Sequence, residues 1–231
     1  MSRTIYLHEI IRTVPGREEP YMASVLSVTS GPGRDRRDDY HRQLGQWRSV
    51  NGSGPWHGVI NIWQHTWKSQ AEALSRQFMD AQRDAYMEDW WQRNLHLRRG
   101  GYDRLLVPTP ATLDADGLAR TGVRGRVFLH EIFWLPFGRR DEFLARFESD
   151  FLPAARRYDG QLVGAYSVAM RPRQALTLFA FRDWADLARL LKARHTDPEV
   201  RNWWEYREQV VERVDELTLL PGRLNPLGIK D

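Results

Sequence analysis

Two five-residue stretches place a histidine beside a glutamate in an apolar run: YLHEI at residues 6–10 and FLHEI at 128–132. Both residue types can transfer protons near neutral pH. Neighbouring residues of a strand point to opposite faces, so a His-Glu pair is poorly arranged to bind one metal ion. The sequence also lacks an HExxH motif and a histidine–carboxylate triad at ligand spacing. We therefore predict no metal site and take Glu9 and Glu131 as candidate acid–base residues.

A third stretch, VINIWQHTW at residues 59–67, combines polar and aromatic residues. If it is a strand, Asn61, Trp63, His65 and Trp67 share one face. His65 could transfer a proton there, and the tryptophans could hold a flat substrate. His65 could equally be a hydrogen-bonded interior histidine without a role in chemistry.

The chain has 10 tryptophans, an unusually high content, and several of them lie in its first half. Trp47, Trp56, Trp63 and Trp67 together favour a cavity for an aromatic or polycyclic ligand. Tyr166 is a further candidate for substrate contact.

The chain is an internal repeat. A shift of 122 places residues 6–10 on 128–132, and shifts of 114 and then 113 continue the match to Trp90-Trp91 on Trp203-Trp204. At this alignment Asn61 faces Ala175, Trp63 faces Thr177 and His65 faces Phe179. Such a match indicates two copies of one unit of about 110 residues. The polar groups found only in the first copy favour a specialised pocket there.

Three segments follow from the repeat. Residues 1–110 form the first unit, with an insertion near 30–55 that includes SGPGRDRRDDY. Residues 111–126 form a linker, because Pro, Gly, Asp and Thr dominate that region. Residues 127–231 form the second unit.

The second unit has the clearer pattern of secondary structure. RVFLHEIFWL predicts a strand, and the apolar spacing of residues 139–157 predicts an amphipathic helix. QLVGAYSVAM and ALTLFAF predict a hairpin, Asp183 and Asp197-Pro198 predict helix starts, and ELTLLP predicts a closing strand. This order is the ferredoxin-like β-α-β-β-α-β unit. We predict an α+β fold in which two tandem units close into an intramolecular barrel.

Five stretches carry a resemblance to a known family: the HEI strands, LVGAYSV, LFAFRDWADLARLL, HTDPEVRNWWEY and LTLLPGR. With them the chain resembles the dimeric α+β barrel superfamily, and within it the NIPSNAP-like domains. The resemblance covers the second unit fully and is weaker in the first. It implies that the glutamates point into the barrel lumen. We expect the Asn61–Trp67 face of the third stretch to point there as well, because the aliphatic face of that strand suits the helices. His8 and His130 would then be hydrogen-bonded core groups beneath the helices. Relatives include cofactor-free monooxygenases, cyclases, isomerases and haem enzymes, so fold alone does not decide the activity.

Composition narrows the class of protein. The net charge is only +4, and the densest basic stretch, residues 34–37, is followed by two aspartates, so nucleic-acid binding is disfavoured. No apolar run approaches the roughly 20 residues that span a bilayer. The absence of cysteine and of a signal-peptide pattern favours the cytoplasm. Hence we expect a small-molecule partner, no nucleic acid and no membrane, with further self-association left open.

The sequence therefore predicts an enzyme of secondary metabolism that works without metal or cofactor on an aromatic or polycyclic substrate. Glu9 or His65 would move a proton in a cyclisation, isomerisation or dehydration. Glu9 and Glu131 are duplicated, which slightly favours a structural role such as pairing with an arginine. The alternatives are a haem enzyme with His195 or His65 as axial ligand, and a binding protein without chemistry.

Overall fold

Each half of the chain folds with its strands and helices in the predicted order. The computed structural model describes residues 4–29, 42–54, 56–79 and 84–229. Residues 30–41 of the predicted insertion near 30–55 lie outside them, and the prediction was wrong for residues 42–52, which form a barrel strand. The first unit comprises β1 Thr4–Thr13, α1 Glu18–Thr29, β2 Arg42–Gly52, β3 Gly58–Thr66, α2 Trp67–Phe78, α3 Ala85–Arg93 and β4 Arg98–Pro108. The connecting segment contains α4, Ala115–Thr121.

The second unit confirms the predicted strands and helix starts. It comprises β5 Val127–Trp134, α5 Arg140–Arg146, a π-helical turn Phe147–Phe151, α6 Leu152–Arg157, β6 Gln161–Val168, β7 Gln174–Phe181, α7 Trp184–Ala193, α8 Pro198–Val210 and β8 Arg213–Pro221. The side chains of Asp183 and Asp197 accept hydrogen bonds from the first free amides of α7 and α8. Asp84 caps α3 in the same way, as the repeat predicts.

The eight strands form one closed antiparallel barrel in the order β1-β3-β2-β8-β5-β7-β6-β4. Each unit supplies four neighbouring strands, and the two sheets join where β2 pairs with β8 and β4 pairs with β6. Closure leaves no free sheet edge. The predicted intramolecular α+β barrel is confirmed. Within the described residues, no helix is long and apolar enough to cross a membrane.

The barrel interior is packed with side chains from every strand. This cluster includes Ile60 and Ile62 of β3, whereas Trp63 and Ile11 pack against α1 and α3 outside the barrel. The predicted orientation was therefore wrong: the Asn61–His65 face lies under the helices, and the isoleucine face fills the lumen. The glutamates, expected in the lumen, also lie on the helix side, Glu9 beside Asn61 and Glu131 beside Arg207. The reason is that both faces of each sheet are covered, so both are apolar and alternation could not distinguish them.

Trp47 and Tyr166 belong to this interior rather than to a substrate cavity. Each follows a register shift, at residues 43–45 of β2 and 162–164 of β6. Each ring covers a glycine two residues earlier, Gly45 or Gly164, where a Cβ would collide with it. Both rings are fully buried, and Tyr166 packs edge-on against Tyr6 at 5.2 Å. Their predicted substrate contacts are thus incompatible with their positions.

The segment predicted as a linker also closes one end of the barrel. Leu118 of α4 and the following Val123 are buried in the interior cluster. The amide of Ala115 donates a hydrogen bond to Gln64 Oε1 at 2.8 Å, which fixes α4 at the end of β3. The opposite end, where β1 and β5 finish, is referred to below as the mouth.

His8 and His130 meet inside the barrel, with their Nε2 atoms 2.9 Å apart. Both are fully buried, and their rings stack with centroids 5.0 Å apart. Their expected position beneath the helices was wrong, because they share the strand face of Tyr6 and Ile10. Burial, then the charge of buried Arg104, lowers the pKa of His130 to about 3. Burial and the neighbouring His130 lower the pKa of His8 well below its usual value.

This pair predicts acid sensitivity. The unfolded chain takes up protons on these histidines as pH falls below about 6.5, whereas the fold keeps them neutral, so stability is present above that pH and falls toward the folded pKa. From pH 7 to 5, His130 alone should lower the free energy of unfolding by about 2 kcal/mol. Urea unfolding should show a smaller loss in the His8→Leu/His130→Leu variant than in the wild type. An equal loss in both proteins would contradict this assignment.

Candidate active site

A cavity of about 310 Å³ lies between the sheet of the first unit and its helices. This first-unit cavity is at the small end of the roughly 300–1,000 Å³ typical of ligand sites. Its sheet side presents Leu7, Glu9, Ile11, Trp63 and His65, and its helix side presents Tyr21, Val25, Leu74, Phe78, Met87, Trp90 and Trp91. The lining is thus mostly apolar and aromatic, with few polar groups.

Glu9 is held by two side chains of the neighbouring strand. Its Oε2 accepts hydrogen bonds from Trp63 Nε1 at 2.7 Å and from Asn61 Nδ2 at 3.1 Å. The register of β1 and β3 sets this contact, because Glu9 lies directly opposite Asn61. The carboxylate is therefore fixed in orientation while it borders the cavity.

Tyr21 of α1 lies on the other side of Asn61 and shares a hydrogen bond with it. Its side chain is buried but lines the cavity. Burial, and secondarily the charge of Glu9, raises the pKa of the Tyr21 phenol. The phenol therefore stays protonated and available as a hydrogen-bond donor.

Arg98, at the start of β4, places a positive charge in the same cavity. Its guanidinium carbon lies 3.6 Å from the ring centroid of Trp91, a cation–π contact that fixes its position. Desolvation lowers the pKa of Arg98, opposed by Tyr21, Glu9 and Asp103. Desolvation also raises the pKa of Asp103, opposed by Arg98. The cavity thus contains a carboxylate–phenol pair together with a cation that can face an anionic substrate group.

Among the predicted site residues, the structure brings together Glu9, Asn61, Trp63 and His65. His65 is 3% exposed and lines the cavity. Trp67 lies elsewhere: it is the first residue of α2 and is half exposed, because the strand ends at Thr66, which caps that helix. Trp56 is exposed near the mouth of the barrel. The predicted tryptophan cluster is therefore not one site.

In the second unit the equivalent glutamate is locked in an ion pair. Glu131 Oε1 lies 3.0 Å from Arg207 Nη1, and its Oε2 accepts a hydrogen bond from Thr177 at 3.0 Å. Burial raises the pKa of Glu131, and the charge of Arg207 opposes this shift. Aromatic side chains fill the space between sheet and helices, namely Phe143, Phe147, Phe151, Phe179 and Trp203. Glu131 therefore has the arginine-paired, structural setting that its duplication slightly favoured, rather than the setting of a catalytic residue.

The strand register also corrects the alignment of the repeats. Glu9 lies opposite Asn61, and Glu131 lies opposite Thr177, so these two partners are equivalent. The shift in this strand is thus 116 rather than 114, which places Trp63 on Phe179 and His65 on Phe181. A change of two residues in the alignment keeps every side chain on the same face of its strand. The conclusion that this face is more polar in the first unit is therefore unchanged.

Sequence reasoning missed Tyr21 and Arg98, and it interpreted Trp90 and Trp91 only as core. Trp90 is 5% exposed and bonds Ser24 O through Nε1 at 3.0 Å, yet one side of it lines the cavity. The sequence carries one signal for Arg98, because it lies just before Gly100-Gly101. Small residues leave room for a cavity beside a strand, and both glycines line this one.

Comparison with known proteins agrees with this architecture. The NIPSNAP family model matches residues 132–226, which confirms the predicted NIPSNAP resemblance for the second unit. The whole chain has the fold of a provisionally assigned monooxygenase from Fusobacterium nucleatum, with 9% identity, a TM-score of 0.64 and coverage of 99% of this chain and 97% of that one.

Two further structures share the fold. One is a provisionally assigned monooxygenase from Lactobacillus acidophilus, with 9% identity, a TM-score of 0.61 and coverage of 95% and 94%. The other is an anthrone oxidase-like protein, with 9% identity, a TM-score of 0.61 and coverage of 95% and 92%. No curated protein sequence matches the chain. These likenesses establish the α+β barrel fold.

The ion pair of the second unit gives a stability prediction. Arg207→Gln leaves the buried Glu131 carboxylate without its counter-charge, so chemical denaturation should show a loss of about 3–5 kcal/mol in the free energy of unfolding. The Glu131→Gln/Arg207→Gln variant should recover part of this loss, because no unpaired charge remains. Equal stability of the single and double variants would show that the charge pairing is not what holds Glu131.

Proposed function

We propose that this protein is a small-molecule enzyme that uses Glu9 to remove a proton from an aromatic or polycyclic substrate in the first-unit cavity. The observation that carries the proposal is the contrast between two equivalent glutamates. Glu9 accepts hydrogen bonds from Trp63 and Asn61 and borders a cavity. Glu131 is bound to an arginine within packed aromatics.

The lining residues supply the groups that such a reaction needs. A substrate ring can lie against Trp63, Trp90 and Trp91, which are large flat surfaces. Glu9 accepts a proton from a C–H that is next to a carbonyl or conjugated with it through an aromatic ring, and the electron pair moves to the carbonyl oxygen. Positive charge from Arg98 and a hydrogen bond from Tyr21 stabilise the oxyanion that forms. His65 is placed in the same cavity to return a proton.

The fate of the enolate sets the type of reaction. Reprotonation at another carbon gives isomerisation, attack on a second carbonyl gives cyclisation, and loss of hydroxide gives dehydration. The names of the structures with this fold, monooxygenase and anthrone oxidase-like, add a fourth outcome in which the enolate reacts with O₂. Each outcome begins with the same proton transfer to Glu9. We further propose that this chemistry belongs to secondary metabolism in the cytoplasm. The partner would be a small-molecule substrate, and the single chain already forms a pseudo-dimer that can associate further.

Haem is the alternative cofactor, and the two candidate ligands differ in fit. His195 is exposed and its Nε2 lies 3.0 Å from Arg194 Nε, outside the first-unit cavity, so its surroundings do not fit an enclosed macrocycle. His65 does line the cavity. A hemin titration followed by absorbance distinguishes the two accounts: a Soret band of fixed stoichiometry that disappears in His65→Ala would favour the haem enzyme.

Deuterium exchange tests the proton transfer. The acidic methylene of anthrone is conjugated with its ketone through two aromatic rings, so loss of a proton places negative charge on the ketone oxygen. ¹H NMR in D₂O follows loss of the methylene signal. The wild type should accelerate exchange, and Glu9→Gln should reduce the acceleration by roughly 10²–10⁴-fold, the usual contribution of a positioned base. Glu131→Gln is the matched control and should exchange at the wild-type rate while folded.

Oxygen uptake in the same samples separates the reaction types, since only the oxidative outcome consumes O₂. Exchange that is unchanged in Glu9→Gln would contradict the role of Glu9. So would an absence of exchange with anthrone and with a panel of other enolisable aromatic ketones.

A further inference from the structure

A second cavity lies at the mouth of the barrel, away from the first-unit cavity. It has a volume of about 490 Å³ and is lined by Arg12, Trp56, His57, Arg99, Tyr102 and Arg213, among others. We call it the mouth groove. Because Arg12 pairs with Gly58 and Thr4 pairs with Thr66, the groove lies at the opposite end of the sheet from α4. The barrel is thus closed at one end and grooved at the other.

The lining of the mouth groove is strongly positive. It holds three arginines and a single aspartate, Asp215. Arg213 is hydrogen-bonded to both oxygens of Asp215, at 3.0 and 3.1 Å, so these two charges neutralise each other. Arg12 and Arg99 are exposed and make no ion pair within the described residues. Two guanidinium groups without a counter-charge among the described residues therefore line one groove.

A further cation, Arg104, lies beneath this surface. Arg104 is 5% exposed, and its guanidinium carbon lies 4.7 Å from the ring centroid of Tyr102, which lines the groove. Its Nε donates a hydrogen bond to Gln174 at 3.1 Å, but its Nη1 has no hydrogen-bond partner among the described residues. A buried guanidinium with an unmet donor adds positive potential below the floor and favours a nearby anion.

One wall of the groove is aromatic and exposed. The ring of Trp56 is 69% exposed and stacks on His57, with centroids 4.5 Å apart. His57 is itself fixed, because its Nδ1 lies 2.6 Å from Glu18 Oε1. A large indole that lines the same groove as Arg12 and Arg99 is a surface for a planar ligand with a negative end.

We propose that the mouth groove binds a small aromatic anion, with its carboxylate or phosphate held by Arg12 and Arg99 and its ring against Trp56. The groove shares only Tyr102 with the first-unit cavity. It is therefore a second ligand site, separate from the proposed proton transfer at Glu9. Arginine suits this role because its planar fork matches two anionic oxygens at once.

An NMR titration of ¹⁵N-labelled protein tests the proposal through the indole signals of the tryptophans. The probes are benzoate, phenyl phosphate and neutral benzamide, and Trp56→Phe assigns the Trp56 signal by its disappearance. Benzoate or phenyl phosphate should shift this signal with saturation, and benzamide should not. A response to both anions would indicate general anion recognition, and a response to one would name the group.

Charge variants provide the second arm. Arg12→Gln/Arg99→Gln should weaken binding of the responding anion at least tenfold, whereas Arg156→Gln/Arg201→Gln, which removes two exposed charges from the second unit, should not. Unchanged indole signals elsewhere report that each variant is folded. The proposal is overturned by no saturable shift at Trp56, by an equal response to benzamide, or by an unchanged Kd in Arg12→Gln/Arg99→Gln. Shifts confined to Trp63 and Trp91 would also overturn it, since the anion would then occupy the first-unit cavity.

Discussion

The packed interior of the barrel is the constraint on which the rest of the structure depends. Eight strands from two copies close on each other, and side chains as large as Trp47 and Tyr166 fill the space between them. A small eight-stranded barrel leaves an interior just wide enough for side chains. A ligand site must therefore lie outside this core, either beneath the helices or at an end. Both cavities described above follow this rule.

The same constraint allows the two units to diverge. Closure of the barrel requires the strands of both copies, but it does not require the space under each helical layer to be filled in the same way. In the second unit a buried ion pair and an aromatic cluster occupy that space. In the first, the glutamate accepts hydrogen bonds from Trp63 and Asn61, and the space remains a cavity. One copy thus supplies stability, while the other is free to take on chemistry.

Much of this architecture could be predicted from the sequence, because local signals agree with the fold. The repeated LHEI strand, the capping aspartates 183 and 197 and the proline at the start of α8 each specify their own element. The orientation of the strands could not be predicted, because both faces are covered and apolar. The cavity residues from other elements, Tyr21 and Arg98, could not be predicted either. Their contacts with Asn61, Glu9 and Trp91 arise only from tertiary packing.

The central claim is that two equivalent glutamates differ in access, and carboxyl labelling tests it most directly. Glycine ethyl ester can be coupled to the folded protein with a water-soluble carbodiimide, and peptide mass spectrometry then compares residues 9 and 131 in one sample. The account predicts labelling of Glu9, protection of Glu9 by an aromatic ligand, and no labelling of Glu131 until the protein unfolds. Equal labelling of the two glutamates, or labelling of Glu131 alone, would contradict it.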